Sequence, residues 1–154
     1  MHAEFIKRAI SLADKNIDHG GGPFGAVIVK GGKIIAEASN QVTRNNDPTA
    51  HAEIMAIRQA GEKLNNFDLS DCILYASCEP CPMCLGAIYW ARIPEVYFAS
   101  DRNDAESAGF DDSLIYAELS RDIDTRKLKM VRVKEKAADT LFKKWIDKSD
   151  KLPY

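Results

Sequence analysis

Three of the four cysteines crowd into "SCEPCPMC", where Cys78, Cys81 and Cys84 stand three residues apart, and a separate "HAE" places Glu53 two residues after His51. Thiolates and an imidazole are characteristic ligands of zinc. A ferredoxin-type cluster would carry the C-x2-C-x2-C run on to a further cysteine where this chain has Ile88, so the iron–sulfur reading is weak. Cys78, Cys81, Cys84 and His51 could on paper close a four-ligand structural zinc site. Three ligands with a fourth position left for water would instead be a catalytic one.

The elements expected around these residues favour the second arrangement. A helix predicted from about Pro82 to Ala91 puts Cys81 and Cys84 at its start, three residues apart and facing one way. A helix N-terminus also favours thiolate over thiol. Cys78 belongs to the end of the preceding strand, and Pro80 holds Glu79 extended between them. Nothing in the sequence aims Cys78 at the metal, so it is expected near the site without coordinating. Cys72 opens a buried strand and reads as a core residue. His51, Cys81 and Cys84 remain as ligands. Glu53 is then the base for a zinc-activated water, provided that the helix carrying "HAE" points its N-terminus at the metal.

The rest of the chain supplies a frame. Phe5, Ile6, Ala9, Ile10, Ala13 and Ile17 follow a helical period until "HGGGPFG" breaks it. "GAVIVK" and "KIIAEA" flank Gly31-Gly32, a two-residue hairpin signal. Asp47 as N-cap and Pro48 at the first helical position predict a helix running to about Gly61. "CILYAS" is nearly unbroken apolar sequence, as in a strand covered on both faces, and "EVYFAS" beyond the cysteine helix is another. This strand–helix–strand unit predicts a parallel pair with a right-handed crossover. "DDSLIYAEL" reads as a short helix opened by an Asp. "LKMVRV" reads as an edge strand, and Ala138, Leu141, Phe142, Trp145 and Ile146 line a last helix. The order α-β-β-α-β-α-β-α-(β)-α describes an α/β fold, three-layer α/β/α with a mixed central sheet, within one domain spanning residues 1–154.

Composition limits the functions available. The 154 residues carry a formal net charge of −2, which gives no global reason to bind nucleic acid. The basic "RKLKMVRVKEK" reads as a charge-protected edge strand, with an RNA contact as the other reading. No apolar run suits a membrane span, and charges interrupt the N-terminal segment where a signal peptide would be continuously apolar. The chain is therefore expected in the cytoplasm with its thiols reduced.

"PTAHAEIMAIR" and "EPCPMCLGAIYWAR" carry the H-x-E…P-C-x-x-C signature of the zinc deaminases. They resemble the cytidine-deaminase-like superfamily in its purine and tRNA-editing branch. Together with "GGPFGAVIV", "NDPTAHAE", "AGFDDSLIY" and the terminal Tyr154, they resemble most closely the bacterial guanine deaminases, over most of residues 1–120 and the last residues. The resemblance implies a cytidine deaminase-like fold, one zinc per chain, and hydrolysis of guanine to xanthine and ammonia in purine catabolism or salvage. It implies Glu53 as the proton carrier, with Asp112 handling protons and reading the base. A homodimer is implied too, in which the C-terminal tail, about 137–154, either stays with its own subunit or is exchanged with the partner.

The resemblance also assigns the pocket. Phe24, otherwise a core residue, becomes an aromatic wall for the purine. Asn40, otherwise a turn residue, meets the base edge with an amide that both donates and accepts. Asp112 competes with a capping role for the helix that follows. Trp90 is either plain core or a pocket wall. Ala52 offers backbone beside the metal. Tyr154 would enter the site, where an ordinary terminus would fray. His2 and His19 are expected at the surface. The main competing activity is tRNA adenosine deamination, which must hold a polynucleotide and admit a ribose-linked base. Another small-base deaminase and a non-enzymatic zinc-stabilised binding module are the remaining readings.

Overall fold

The apolar run of "CILYAS" sits at the centre of the molecule as the sequence anticipates. In the computed structural model, which describes residues 1–154, strands β1 (Gly25–Lys30), β2 (Lys33–Ser39), β3 (Cys72–Cys78) and β4 (Glu95–Ser100) form one sheet in the order β2-β1-β3-β4. β1 pairs antiparallel with both β2 and β3, and β3 pairs parallel with β4. Gly31 and Gly32 close the β1–β2 hairpin with φ of 55° and 75°, the left-handed pair that a two-residue turn requires.

Alternation along β1 divides the core between two faces. Val27 and Val29 join Tyr75, Phe5 and Ala9 beneath helix α1 (His2–Asp18). Ala26 and Ile28 join Leu74 and Ala76 on the other face, under α3 (Ala52–Leu64) and α4 (Pro82–Trp90). Ala52, Ala56 and Ala60 bring α3 close to that face, because small side chains let a helix approach the sheet. The mixed sheet covered by helices on both sides is the three-layer arrangement expected, with Cys72 buried in it.

The connections depart from the sequence reading in three places. The helix expected from Pro48 starts four residues later. Asp47 instead accepts the Thr49 N–H (2.8 Å) and hydroxyl (2.7 Å) in a local turn, and His51 becomes the N-cap. The same helix runs past Gly61 to Leu64 and stops at Asn65, which takes the left-handed conformation with φ 48°. Two short helices were not anticipated: α2 (Val42–Asn45) and α5 (Arg102–Ser107), the latter closed by a capping box between Asp101 and Asp104.

Two compact units divide the chain, residues 1–112 and 113–154. The second contains α6 (Ser113–Leu119), a 3-10 turn at Ile123–Thr125 and α7 (Lys136–Asp147). The strand expected from "LKMVRV" is absent. Its β-branched residues suit a strand, but this unit holds no strand to pair with, and a lone strand has no ladder to satisfy its backbone. Local bonds order the segment instead. Glu118 accepts from Arg121 (3.1 Å) and from the Lys127 N–H (2.6 Å). No residue of the second unit is buried, and Leu141, Phe142 and Ile146 of α7 are all exposed.

Arg8 of α1 grips Glu37 of β2 through two hydrogen bonds of 2.7 Å each, which holds the Glu37 carboxyl below its ordinary range. Because the folded state favours the carboxylate, this contribution is complete above the ordinary carboxylate range and is lost as pH falls through the folded value. Both groups are partly solvated, so Glu37→Gln should cost about 0.5–1 kcal/mol at neutral pH. Denaturant titrations of wild type and variant at falling pH should converge.

Candidate active site

Two helices begin at the same place. α3 has His51 as its N-cap and α4 has Cys81, and neither side chain caps its own helix. His and Cys lie outside the preferred capping residues. Their side chains turn to each other: Cys81 Sγ lies 3.5 Å and Cys84 Sγ 3.6 Å from His51 Nδ1. The three ligand atoms all fall within 4.8 Å of one another.

These distances suit zinc. With Zn–S of about 2.3 Å and Zn–N of about 2.0–2.1 Å, tetrahedral angles place S and N about 3.6 Å apart. Two thiols and an imidazole are also a donor set that zinc prefers to magnesium or calcium. His51 presents Nδ1 to the sulfurs, so the ring proton belongs on Nε2 when the three act as ligands.

The electrostatics follow from the hydrogen bonds within this cluster and from burial. A thiol hydrogen bond from Cys84, together with His51 and the Cys84 backbone N–H, draws the Cys81 thiol down to about 4. The bond to Cys81, and burial, push Cys84 the other way. His51 is raised, chiefly by its hydrogen bond with Cys81. Glu53, in the first turn of α3, is almost wholly buried, and burial raises its carboxyl above the ordinary range. Ala52, between His51 and Glu53, is fully buried.

Cys78 stands outside the triangle. Its thiol donates to the Asp101 carbonyl at 3.5 Å, and burial pushes it up to about 11. Glu79 completes the tie to that end of β4: its N–H donates to Ser100 O at 2.8 Å, and its carboxylate accepts the Arg102 N–H at 3.2 Å.

Asn40 and Phe24 meet at the end of the sheet where β1 begins and β2 ends. The Asn40 N–H donates to the Phe24 carbonyl at 3.0 Å. Asn40 Oδ1 accepts the Val42 N–H at 3.2 Å, which leaves the NH2 of this amide to donate. Phe24 packs edge-on against Phe110, ring centroids 4.9 Å apart. Phe110, which no spacing signal singles out, lies inside "AGFDDS". Asp112 is partly buried, its carboxyl raised first by desolvation and opposed by Arg102, with Cys81 among the charges acting on it.

The other two assigned residues stand differently. Trp90 ends α4, about 13 Å along the helix axis from Cys81 at 1.5 Å per residue. It is 70% exposed, so the plain-core reading does not hold. Tyr154 ends the second unit and is 75% exposed. His2 and His19 are both exposed, as expected, though His2 also stacks on Tyr97 with centroids 4.3 Å apart.

Known proteins share this layout. The cytidine and deoxycytidylate deaminase zinc-binding region matches residues 1–100. The guanine deaminase of Bacillus subtilis (strain 168) is 52% identical over 154 residues, covering 99% of each chain. An X-ray structure of guanine deaminase from Bacillus subtilis superposes with a TM-score of 0.97 at 52% identity, over 100% of this chain and 99% of that one. The tRNA-specific adenosine deaminase of Aquifex aeolicus is 45% identical over 96 residues, 62% of this chain and 64% of the other.

Metal analysis tests the ligand set. Replacing Cys81 or Cys84 by Ser, or His51 by Ala, should reduce bound zinc from about one per chain by at least about tenfold at limiting metal. Cys78→Ser should retain it.

Proposed function

The chain belongs to the cytidine and deoxycytidylate deaminase zinc-binding family, and from that premise we propose that it hydrolyses guanine to xanthine and ammonia. The observation that carries the reading is a buried carboxyl group, Glu53, two residues from a histidine that converges with two cysteines. His51, Cys81 and Cys84 would hold the zinc, which when bound would supply a Lewis acid able to make water acidic near neutral pH.

The protein's own groups do the rest. Glu53 accepts the proton of the attacking water and delivers it to the ring nitrogen beside C2. It then takes the remaining proton of the hydroxyl added at C2 and passes it to the departing amine; the C2–N bond breaks as C2=O forms, so that guanine and water become xanthine and ammonia. Asn40 donates from its free NH2 to an acceptor on the purine edge. Asp112 accepts from the N1–H and amino donors of guanine. Phe24, braced by Phe110, supplies the flat apolar wall against which a purine stacks. Ala52 brings backbone against the substrate.

The preference for guanine over a tRNA adenosine rests on the extent of similarity. The guanine deaminase relative matches nearly the whole chain, and the tRNA-specific relative under two thirds of it. No helix is long and apolar enough to cross a membrane. Four free cysteines suit a reducing compartment, and the cytoplasm is the proposed location.

The proposed assembly is a homodimer that exchanges the C-terminal segment, about 137–154. The apolar face of α7 is exposed, which supports a role in association. The second unit carries more Lys and Arg than Asp and Glu, the first unit the reverse, so copies attract through unlike units. Tyr154 and Trp90, exposed in a single chain, take their pocket roles in that assembly.

Glu53→Gln should keep its fold and zinc but lose about 10²–10⁴-fold in turnover of guanine. Unchanged turnover would remove Glu53 as the base. Ammonia release should be measured from guanine, adenine, cytosine and a tRNA anticodon stem-loop in parallel. Release from the stem-loop and none from guanine would reverse the substrate assignment. Deleting the last few residues should spare zinc while greatly lowering turnover, and full activity would take Tyr154 out of the site.

A further inference from the structure

Only four polar or charged residues are buried: Asn16, Asn40, Glu53 and Ser77. Asn16 is the deepest, at 3% exposed, and has no part in the chemistry described above. We propose that Asn16 is a positioning residue for guanine, one that sets the base-reading wall formed by Asn40 and Phe24. The inference rests on the assignment of those two residues to the pocket.

The geometry is a closed ring of hydrogen bonds. Asn16 Nδ2 donates both to the Gly22 carbonyl and to the Asn40 carbonyl, each at 2.8 Å. The Gly22 carbonyl also accepts the Phe24 N–H at 2.8 Å, and the Phe24 carbonyl accepts the Asn40 N–H at 3.0 Å. One side-chain amide from α1 therefore fastens the loop that carries Phe24 to the strand end that carries Asn40.

The amide itself cannot turn. Its Oδ1 accepts the Ser39 hydroxyl at 3.1 Å and the Arg44 guanidinium at 3.5 Å, so both donors and the acceptor oxygen are engaged. The loop above it leaves no room for an alternative, because a Cβ on Gly21 would overlap the Asn16 amide. The same residue's backbone carbonyl takes the Gly21 N–H at 2.8 Å. An aspartate here would set acceptor oxygens against two carbonyls. A leucine would leave both carbonyls without this partner in a buried place.

A residue that places the base reader without touching the reacting atoms should act on substrate binding and leave the chemical step. Asn16→Ala should raise KM for guanine about tenfold, with kcat within about threefold of wild type and zinc unchanged. Ser39→Ala, a milder change that removes only the hydroxyl orienting the amide, should shift KM in the same sense by about threefold. Asn40→Ala is the reference variant and should itself raise KM. In the Asn40→Ala background, Asn16→Ala should raise KM less than about twofold further, since residues acting as one unit are not additive.

Each other result overturns the proposal. A lower melting temperature with KM unchanged in both Asn16→Ala and Ser39→Ala would make Asn16 a structural anchor only. A full second increase in the double variant would show that the residues act independently. If Asn40→Ala raises KM and neither of the other two variants does, the pocket stands and the positioning role falls. If Asn40→Ala leaves KM unchanged, the pocket assignment fails and takes the role of Asn16 with it.

Discussion

The molecule is organised around the meeting of two helix N-termini. α3 and α4 begin with His51 and Cys81, residues that are poor caps, and both N-cap side chains turn to the same small site. That is a cost in local helix stability, offset by what it creates: a site where the Cys84 thiol and His51 hydrogen-bond to Cys81 and favour its thiolate. The same convergence explains a spacing that looks wrong on paper. Residues two apart in mid-helix point to nearly opposite sides, yet His51 and Glu53 both serve one site because one precedes the helix and the other sits in its first turn.

The sheet makes that convergence possible and brings Phe24 and Asn40, the residues proposed to read the base, to the same end. β1 runs antiparallel to both neighbours, so Gly25 at its start lies opposite Ser39 at the end of β2, and Ala26 opposite Ala76 near the end of β3. β4, parallel to β3, finishes beside Cys78. Phe24, Asn40, the cysteine turn and the β4 exit therefore share one end of the sheet. The buried hydroxyl of Ser77, which accepts the Gly25 N–H at 3.0 Å, ties β1 to β3 at that end.

The two units differ in how they use apolar residues. In the first, alternating and small side chains fill both faces of the sheet, and polar groups are buried only where a role or a full set of hydrogen bonds accounts for them. In the second, helices form with clear amphipathic patterning and bury none of it. That exposed apolar patterning is what the proposed association through this segment would cover.

The sequence by itself determined what depends on short spacings. The hairpin at Gly31-Gly32, the buried run of β3, the strand–helix–strand unit and the pairing of Cys81 with Cys84 are all local, and local sterics specify them. The separation of Cys78 from the other cysteines was legible because Pro80 constrains the chain between them, and the thiol duly turns to Asp101. Tertiary structure alone decided the rest. Asp47 and Pro48 are sound helix-start signals, but Asp47 is spent on Thr49, and the helix waits for His51 to reach the cysteines. "LKMVRV" has strand-forming residues and no strand within its own unit to pair with. Phe110 and Asn16 had no spacing signal at all, since their partners are Phe24 and Asn40, brought to them by the folding of distant segments. A hydrogen-bonded ring through Asn16, Gly22, Phe24 and Asn40 exists only once α1, a loop and a strand end are packed together, and no local rule encodes it.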